Sequence, residues 1–116
     1  MQYMLLINEG EDYYEGADGE ARMEATIAGH MKLIEELEAS GIEWSGNRLQ
    51  PASTATTIKW NNGEHMLHDG PFAETHEELG GYYLVGADNL DAALEWAKKI
   101  PVPGKGAIEV RPVWQD

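Results

Sequence analysis

Apolar and polar positions change period several times along this chain, and each change marks an element. "YMLLIN", residues 3 to 8, is a short apolar run bounded by Glu and Gly, which predicts a strand. Residues 9 to 19 read as an acidic, glycine-containing loop. From Glu20 to Ser40 the period lengthens: Met23, Ile27, His30, Ile34 and Leu37 recur at steps of four and three and form one stripe of a helix. Gly41 is placed to stop it. "IEWSGNRL" (42 to 49) and "ATTIKW" (55 to 60) are strand-like, and Asn62-Gly63 inside "WNNGEHML" is a strong hairpin signal between β-favouring runs. "GGYYLVGA" (80 to 87) predicts another strand. In "DNLDAALEWAKKI" a helix follows, capped by Asp88 or Asn89, with Leu90, Ala93, Leu94 and Ala97 as its stripe and two lysines near its C-terminal dipole. Pro101 and Pro103 end it, and "AIEVRPVW" (107 to 114) predicts the last strand.

The order is strand, helix, strand, hairpin insertion, strand, helix, strand. Two βαβ halves of this kind predict an α+β, ferredoxin-like protomer, βαβ(ββ)βαβ, with an antiparallel sheet. The first strand and the one at 80 to 87 belong in the middle of such a sheet. Both carry apolar residues on both faces: Tyr3, Leu5 and Ile7 against Met4 and Leu6, and Tyr82 and Leu84 against Tyr83 and Val85. Two helices cover only one face. A second copy of the same sheet is the simplest cover for the other, so a homodimer with facing sheets is expected.

Composition narrows the partners. A chain of 116 residues is expected to be one domain, spanning 1–116. Apolar residues make up 42%, enough for a core. Eight Lys and Arg stand against 21 Asp and Glu, a net charge of −13, and such a surface repels phosphate backbones. Nucleic acid and membrane are therefore not expected as partners. With no cysteine, disulfides and thiolate catalysis are excluded. The start, "MQYMLLINEGED", has no basic segment and no long apolar run, so a cytoplasmic location is expected. No nucleotide-binding glycine loop, phosphate loop or nucleophile elbow occurs, and no organic cofactor is expected.

Four stretches in order, "MLLINEG", "LQPASTATTIK", "DGPFAETHEELGGYYLVGADNLDAALEWA" and "IEVRPVW", resemble the DGPF-domain proteins of the YCII-related superfamily. That resemblance covers nearly the whole chain. It implies a dimeric α+β barrel of ferredoxin-like protomers and implies no single settled reaction. Some relatives look like companions of extracytoplasmic-function sigma factors, and a few are enzymes acting on small cyclic compounds. In YCII-like relatives a histidine on the first helix and an acidic partner are proposed as a catalytic dyad. His30 matches the histidine; the matching position for the acid falls near Ile100, where none stands, and Asp69 is the candidate replacement. His76 stands where a Lys or Arg is expected in DGPF sequences.

Asp69, within "HDGPFAE", has two readings: a general base, or a turn residue whose carboxylate accepts backbone N–H groups at a rigid corner. The His30 side chain, on the buried stripe of the first helix, reads either as a satisfied core residue or as the acid/base partner of Asp69; a carboxylate against its ring would raise its pKa. Secondary candidates are His68, His76 and Glu74. Phe72, the one Phe of the chain, and Arg111 are the candidate substrate contacts, Arg111 as the anchor of a carboxylate from the protein or a ligand. Along a strand His65 and His68 point to opposite faces, and no helical histidine pair exists, so no metal is expected. Two functions follow from these residues. One is binding or acid/base conversion of a small molecule in a cleft holding Asp69 and His30. The other is a non-catalytic regulatory or interaction domain, with a sigma-factor-type partner. Whether the chain is an enzyme stays open at this level.

Overall fold

Four strands form an antiparallel sheet, and the hairpin inserted between them forms a second sheet of its own. The computed structural model describes every residue except Glu74, Pro103 and Asp116. In chain order the elements are β1 (Gln2–Gly10), α1 (Gly19–Ser40), β2 (Trp44–Arg48), β3 (Thr56–Asn61), β4 (Glu64–Asp69), β5 (Glu77–Gly86), α2 (Leu90–Ala97) and β6 (Ala107–Pro112). The larger sheet has the order β2-β5-β1-β6, and β3 pairs with β4. This is the ferredoxin-like α+β arrangement, with β1 and β5 central as their two-sided apolar patterns require.

Alternation along β1 and β5 decides what each face buries. Tyr3, Leu5 and Ile7 from β1 and Tyr83 and Val85 from β5 point to the helices and are buried, together with Leu33 and Leu37 of α1, Ala93 and Ala97 of α2, and Ile100. Trp44, Ile108 and Val110 pack at the margins of this cluster. The helical stripe differs from the sequence expectation at one place: Leu33 is buried, whereas Ile27 is 37% exposed. Only the C-terminal half of α1 lies squarely over the sheet, so burial there selects Leu33 and Leu37 and releases the residue a turn and a half earlier.

Local signals act as chemistry requires. Gly41 ends α1 with φ 78°, in the left-handed region. Asn89 caps α2, its side-chain oxygen accepting from Ala92 N at 2.9 Å. Asn62 and Gly63 turn the hairpin with φ 53° and 83°, the twist that two-residue hairpin loops need. The strand expected at 80 to 87 begins earlier, at Glu77, because the chain bulges between Ile7 and Asn8 on β1 and leaves Gly80 of β5 as the extra residue.

The far face of the larger sheet carries Met4, Leu6, Tyr82 and Leu84, all half-buried. Register places Met4 opposite Leu84 and Leu6 opposite Tyr82, so they form one contiguous apolar patch. The hairpin β3–β4 is exposed along most of its length, with Trp60 at 69% and Leu67 at 72%. A radius of gyration of 16.2 Å, against about 13 Å for a compact chain of this length, reflects that projecting arm.

Candidate functional site

The half-buried end of the core, where α1 crosses β5 and β2, gathers the titratable residues of the helix side. His30 is on the inner side of α1, and alternation along β5 turns Tyr83 toward it. The two meet with His30 Nδ1 2.6 Å from the Tyr83 phenol oxygen, their rings nearly parallel with centroids 5.7 Å apart. Tyr83 is only 6% exposed, so its hydroxyl depends on this bond. Its ring lies over Gly46 of β2, where a Cβ would sit 2.8 Å from it, and against Trp44 at 6.3 Å. A side chain at Gly46 would push Tyr83 away from His30.

Burial, and then the charge of Arg48, hold His30 below the usual histidine pKa, so its ring stays neutral at neutral pH. Burial pushes the Tyr83 hydroxyl up, so it keeps its proton. An uncharged imidazole and an uncharged phenol therefore share one short hydrogen bond. Either Tyr83 O–H donates to Nδ1, or Nδ1–H donates to the phenol oxygen; the second tautomer leaves the Nε2 lone pair as a base. Among the described residues Nε2 has no protein partner.

Two further residues complete the edge of this site. Glu9, at the end of β1, lies against the Gly80 bulge: a Cβ there would come within 2.5 Å of the Glu9 carboxyl carbon. Burial and the neighbouring Glu78 raise its pKa, opposed by Arg48 and the Tyr14 hydroxyl. Arg48, the last residue of β2, pairs in register with Gly81 and reaches over α1 to Met23, Nη2 to Sδ 3.5 Å.

The residues singled out from sequence fall elsewhere, apart from His30. Asp69 ends β4, opposite Thr56, on the face of the hairpin that carries Leu67 and His65. His68 points to the other face, so the adjacent His and Asp do not converge. Among the described residues the Asp69 carboxylate accepts no hydrogen bond, and His30 has Tyr83 as its hydrogen-bonded side chain. The corner after Asp69 is held by backbone and hydroxyl groups. Gly70, at φ 110°, donates its N–H to Ala55 O at 2.7 Å, and the Thr57 hydroxyl donates to Gly70 O at 2.8 Å. Phe72 is 78% exposed, its ring 5.8 Å from Lys59 Nζ. Exposed His76 meets Glu11 at 3.2 Å, and Arg111 meets Glu109 at 3.6 Å on the far face of the sheet. Glu74 lies outside the described residues.

Tyr83, Glu9 and Arg48 were missed in the sequence. Parity along β5 puts Tyr83 on the same side as Val85, and His30 lies on the inner stripe of α1, so crossing the two patterns was the signal that would have paired them. Two shallow depressions, of about 470 and 410 Å³, lie elsewhere: one beside Trp96 and Gly86, the other beside Arg22 and Pro101. Among the described residues no three His, Asp or Glu side chains converge as a metal site, and no helix is long and apolar enough to cross a membrane.

The sequence matches known proteins over most of its length. The family model of the YCII-related domain matches residues 1–115, and the chain belongs to that family. It is also similar to an uncharacterised protein of Rhizobium meliloti (strain 1021), R00369, with 44% identity over 68 residues. That match covers 57% of this chain and 55% of the relative, so the chain spans little more than half the length of the curated protein it matches.

Proposed function

We propose that this YCII-related chain is a homodimer of the DGPF type that binds a small molecule and moves a proton on it, with His30 as the acid/base group and Tyr83 as its hydrogen-bonded partner. The carrying observation is the 2.6 Å bond between the two, inside a half-buried site whose histidine is kept neutral. A neutral base near its working pH, held in one orientation by a buried hydroxyl, is what proton abstraction needs. When Nε2 takes a proton from the ligand, His30 becomes imidazolium and the ligand carries the matching negative charge beside it, while Tyr83 keeps its own proton and holds the ring.

Dimerisation is supported by the far face of the sheet. Met4, Leu6, Tyr82 and Leu84 form a patch that no helix of the protomer covers, and an equivalent sheet is its natural cover. The exposed hairpin also favours protein contact, since an isolated two-stranded ribbon is marginal in water. Asp69 and Phe72 sit at the end of that hairpin, so within this reading they act at the site from a closed dimer. A second reading, a regulatory module docked on a protein such as a sigma factor, is favoured by the same exposed Trp60 and Leu67 together with the acidic surface.

A thermal-shift screen of small cyclic compounds on the wild-type protein, His30→Asn and Tyr83→Phe tests the small-molecule reading. The expected result is a ligand that raises the wild-type melting temperature and loses that effect in both variants. A ligand effect equal in all three proteins, or none from the whole screen with capture of a basic protein at low salt instead, supports the regulatory reading.

A further inference from the structure

Arg48 is the cation closest in role to the His30–Tyr83 pair, and its pairing is unlike that of the other arginines. Arg22 is spent on backbone, donating to Tyr13 O and Glu15 O at 2.7 Å each. Arg111 sits beside Glu109 on the far face. Among the described residues Arg48 forms no ion pair, and its one side-chain partner is the thioether of Met23. Arg48 is exposed, so its guanidinium is open to a ligand from solvent.

Position gives that guanidinium a use. Gly46 and Arg48 are two residues apart on β2 and point to the same side, the side of Tyr83 and α1. Arg48 is therefore placed one step along the strand from the ring that holds His30. Its contact with Met23, two helical turns before His30 on the same stripe of α1, puts it along the edge of the site, where its charge also lowers the His30 pKa. Glu9, half-buried against the glycine bulge, forms no ion pair with Arg48. Bulges next to a site re-aim side chains in this way.

We propose that Arg48 anchors an anion in this site, and that the ligand is a small carboxylic acid whose carboxylate takes the guanidinium fork while the reacting atom lies by His30. This rests on the proton-transfer reading above and adds the chemical class of its substrate. A planar guanidinium matches a carboxylate with two parallel hydrogen bonds, which fixes orientation as well as charge. Arg48 then supplies the positive charge that a strongly acidic protein otherwise lacks at this place.

The test is binding of matched probes to the full chain, followed by calorimetry and by the His30 ring signals in NMR. Benzoate, salicylate and cyclohexanecarboxylate are compared with their primary amides on wild type, Arg48→Gln, Arg48→Lys and the control Lys98→Gln, an exposed cation of the helix surface paired with Glu95. The expected result is that acids bind wild type at least tenfold more tightly than amides and shift the His30 signals. Arg48→Gln removes the preference, Arg48→Lys keeps part of it, and Lys98→Gln keeps all of it. Amides binding as tightly as acids, with Arg48→Gln without effect, would overturn the carboxylate anchor and leave the small-molecule reading in place. If neither acids nor amides move the His30 signals, both fail together.

Discussion

His30 and Tyr83, 53 positions apart in the chain, are joined by a 2.6 Å hydrogen bond between Nδ1 and the phenol oxygen. The relationship exists because the inner stripe of α1 and the inner face of β5 cross at one point, and because Gly46 leaves space for the tyrosine ring there. It joins the core to the chemistry: Tyr83 is buried like its neighbour Val85, yet its hydroxyl ends in a site.

Tyr83→Phe keeps the ring and deletes the bond. A loss of about 1 kcal/mol in unfolding free energy is expected, the usual net worth of one intramolecular hydrogen bond, measured by urea denaturation. The fold is retained, and ligand effects that depend on His30 fall far more than stability does. His65→Gln, on the exposed hairpin, serves as the control and changes neither.

The two perturbed groups at the site give opposite pH dependences. The folded-state pKa of His30 lies below its unfolded value near 6.5, so between the two the unfolded chain binds more protons. Stability is therefore lost as pH falls from about 6.5 through the folded pKa. Glu9 is raised above 4.5, so the native state binds the extra proton just above that value and its contribution is lost as pH rises. Chemical denaturation from pH 4 to 8 checks this. His30→Asn flattens the decline below pH 6.5, and Glu9→Gln steepens the net decline toward low pH.

The far face of the sheet is tested by charge. Leu84→Glu places a carboxylate in the Met4–Leu84 patch without touching the helix-side core. Sedimentation at micromolar concentration is expected to show wild-type dimers and Leu84→Glu monomers, because burying an unpaired carboxylate costs several kcal/mol. A monomeric wild type would contradict the dimer.

Asn89→Ala removes the side-chain cap of α2, which accepts from Ala92 N. The expected cost is about 1 kcal/mol in thermal or chemical unfolding, with no effect on ligand binding. Any change at the His30 site would show that α2 couples to it.

Much of the architecture was readable in the chain. Asn62-Gly63 fixes the hairpin because both positions need positive φ, Asn89 caps because its oxygen is in reach of Ala92 N, and the doubled apolar faces of β1 and β5 mark central strands. The site was less readable. His30 was found from its place on an amphipathic stripe, whereas its partner was sought among acids. Tyr83 sits in a run of apolar residues, and a hydroxyl within such a run announces a hydrogen bond without saying to what. Asp69 drew notice because it adjoins His68, yet neighbours on a strand point apart, and the corner is held by Gly70 and Thr57. Glu9 meets the site through a β-bulge at Gly80, a register feature with no local signature beyond a pair of glycines, and Arg48 through its parity with Gly46 on β2, which shows only once β2 is paired with β5.

The most direct measurement is an NMR titration of the four histidines, with His30 assigned by His30→Asn. The account predicts a His30 midpoint below 6.5 that rises when Arg48 is replaced by Gln. A His30 midpoint at or above 6.5, unmoved by Arg48→Gln and by Tyr83→Phe, would contradict a neutral, tyrosine-held histidine at the centre of this site.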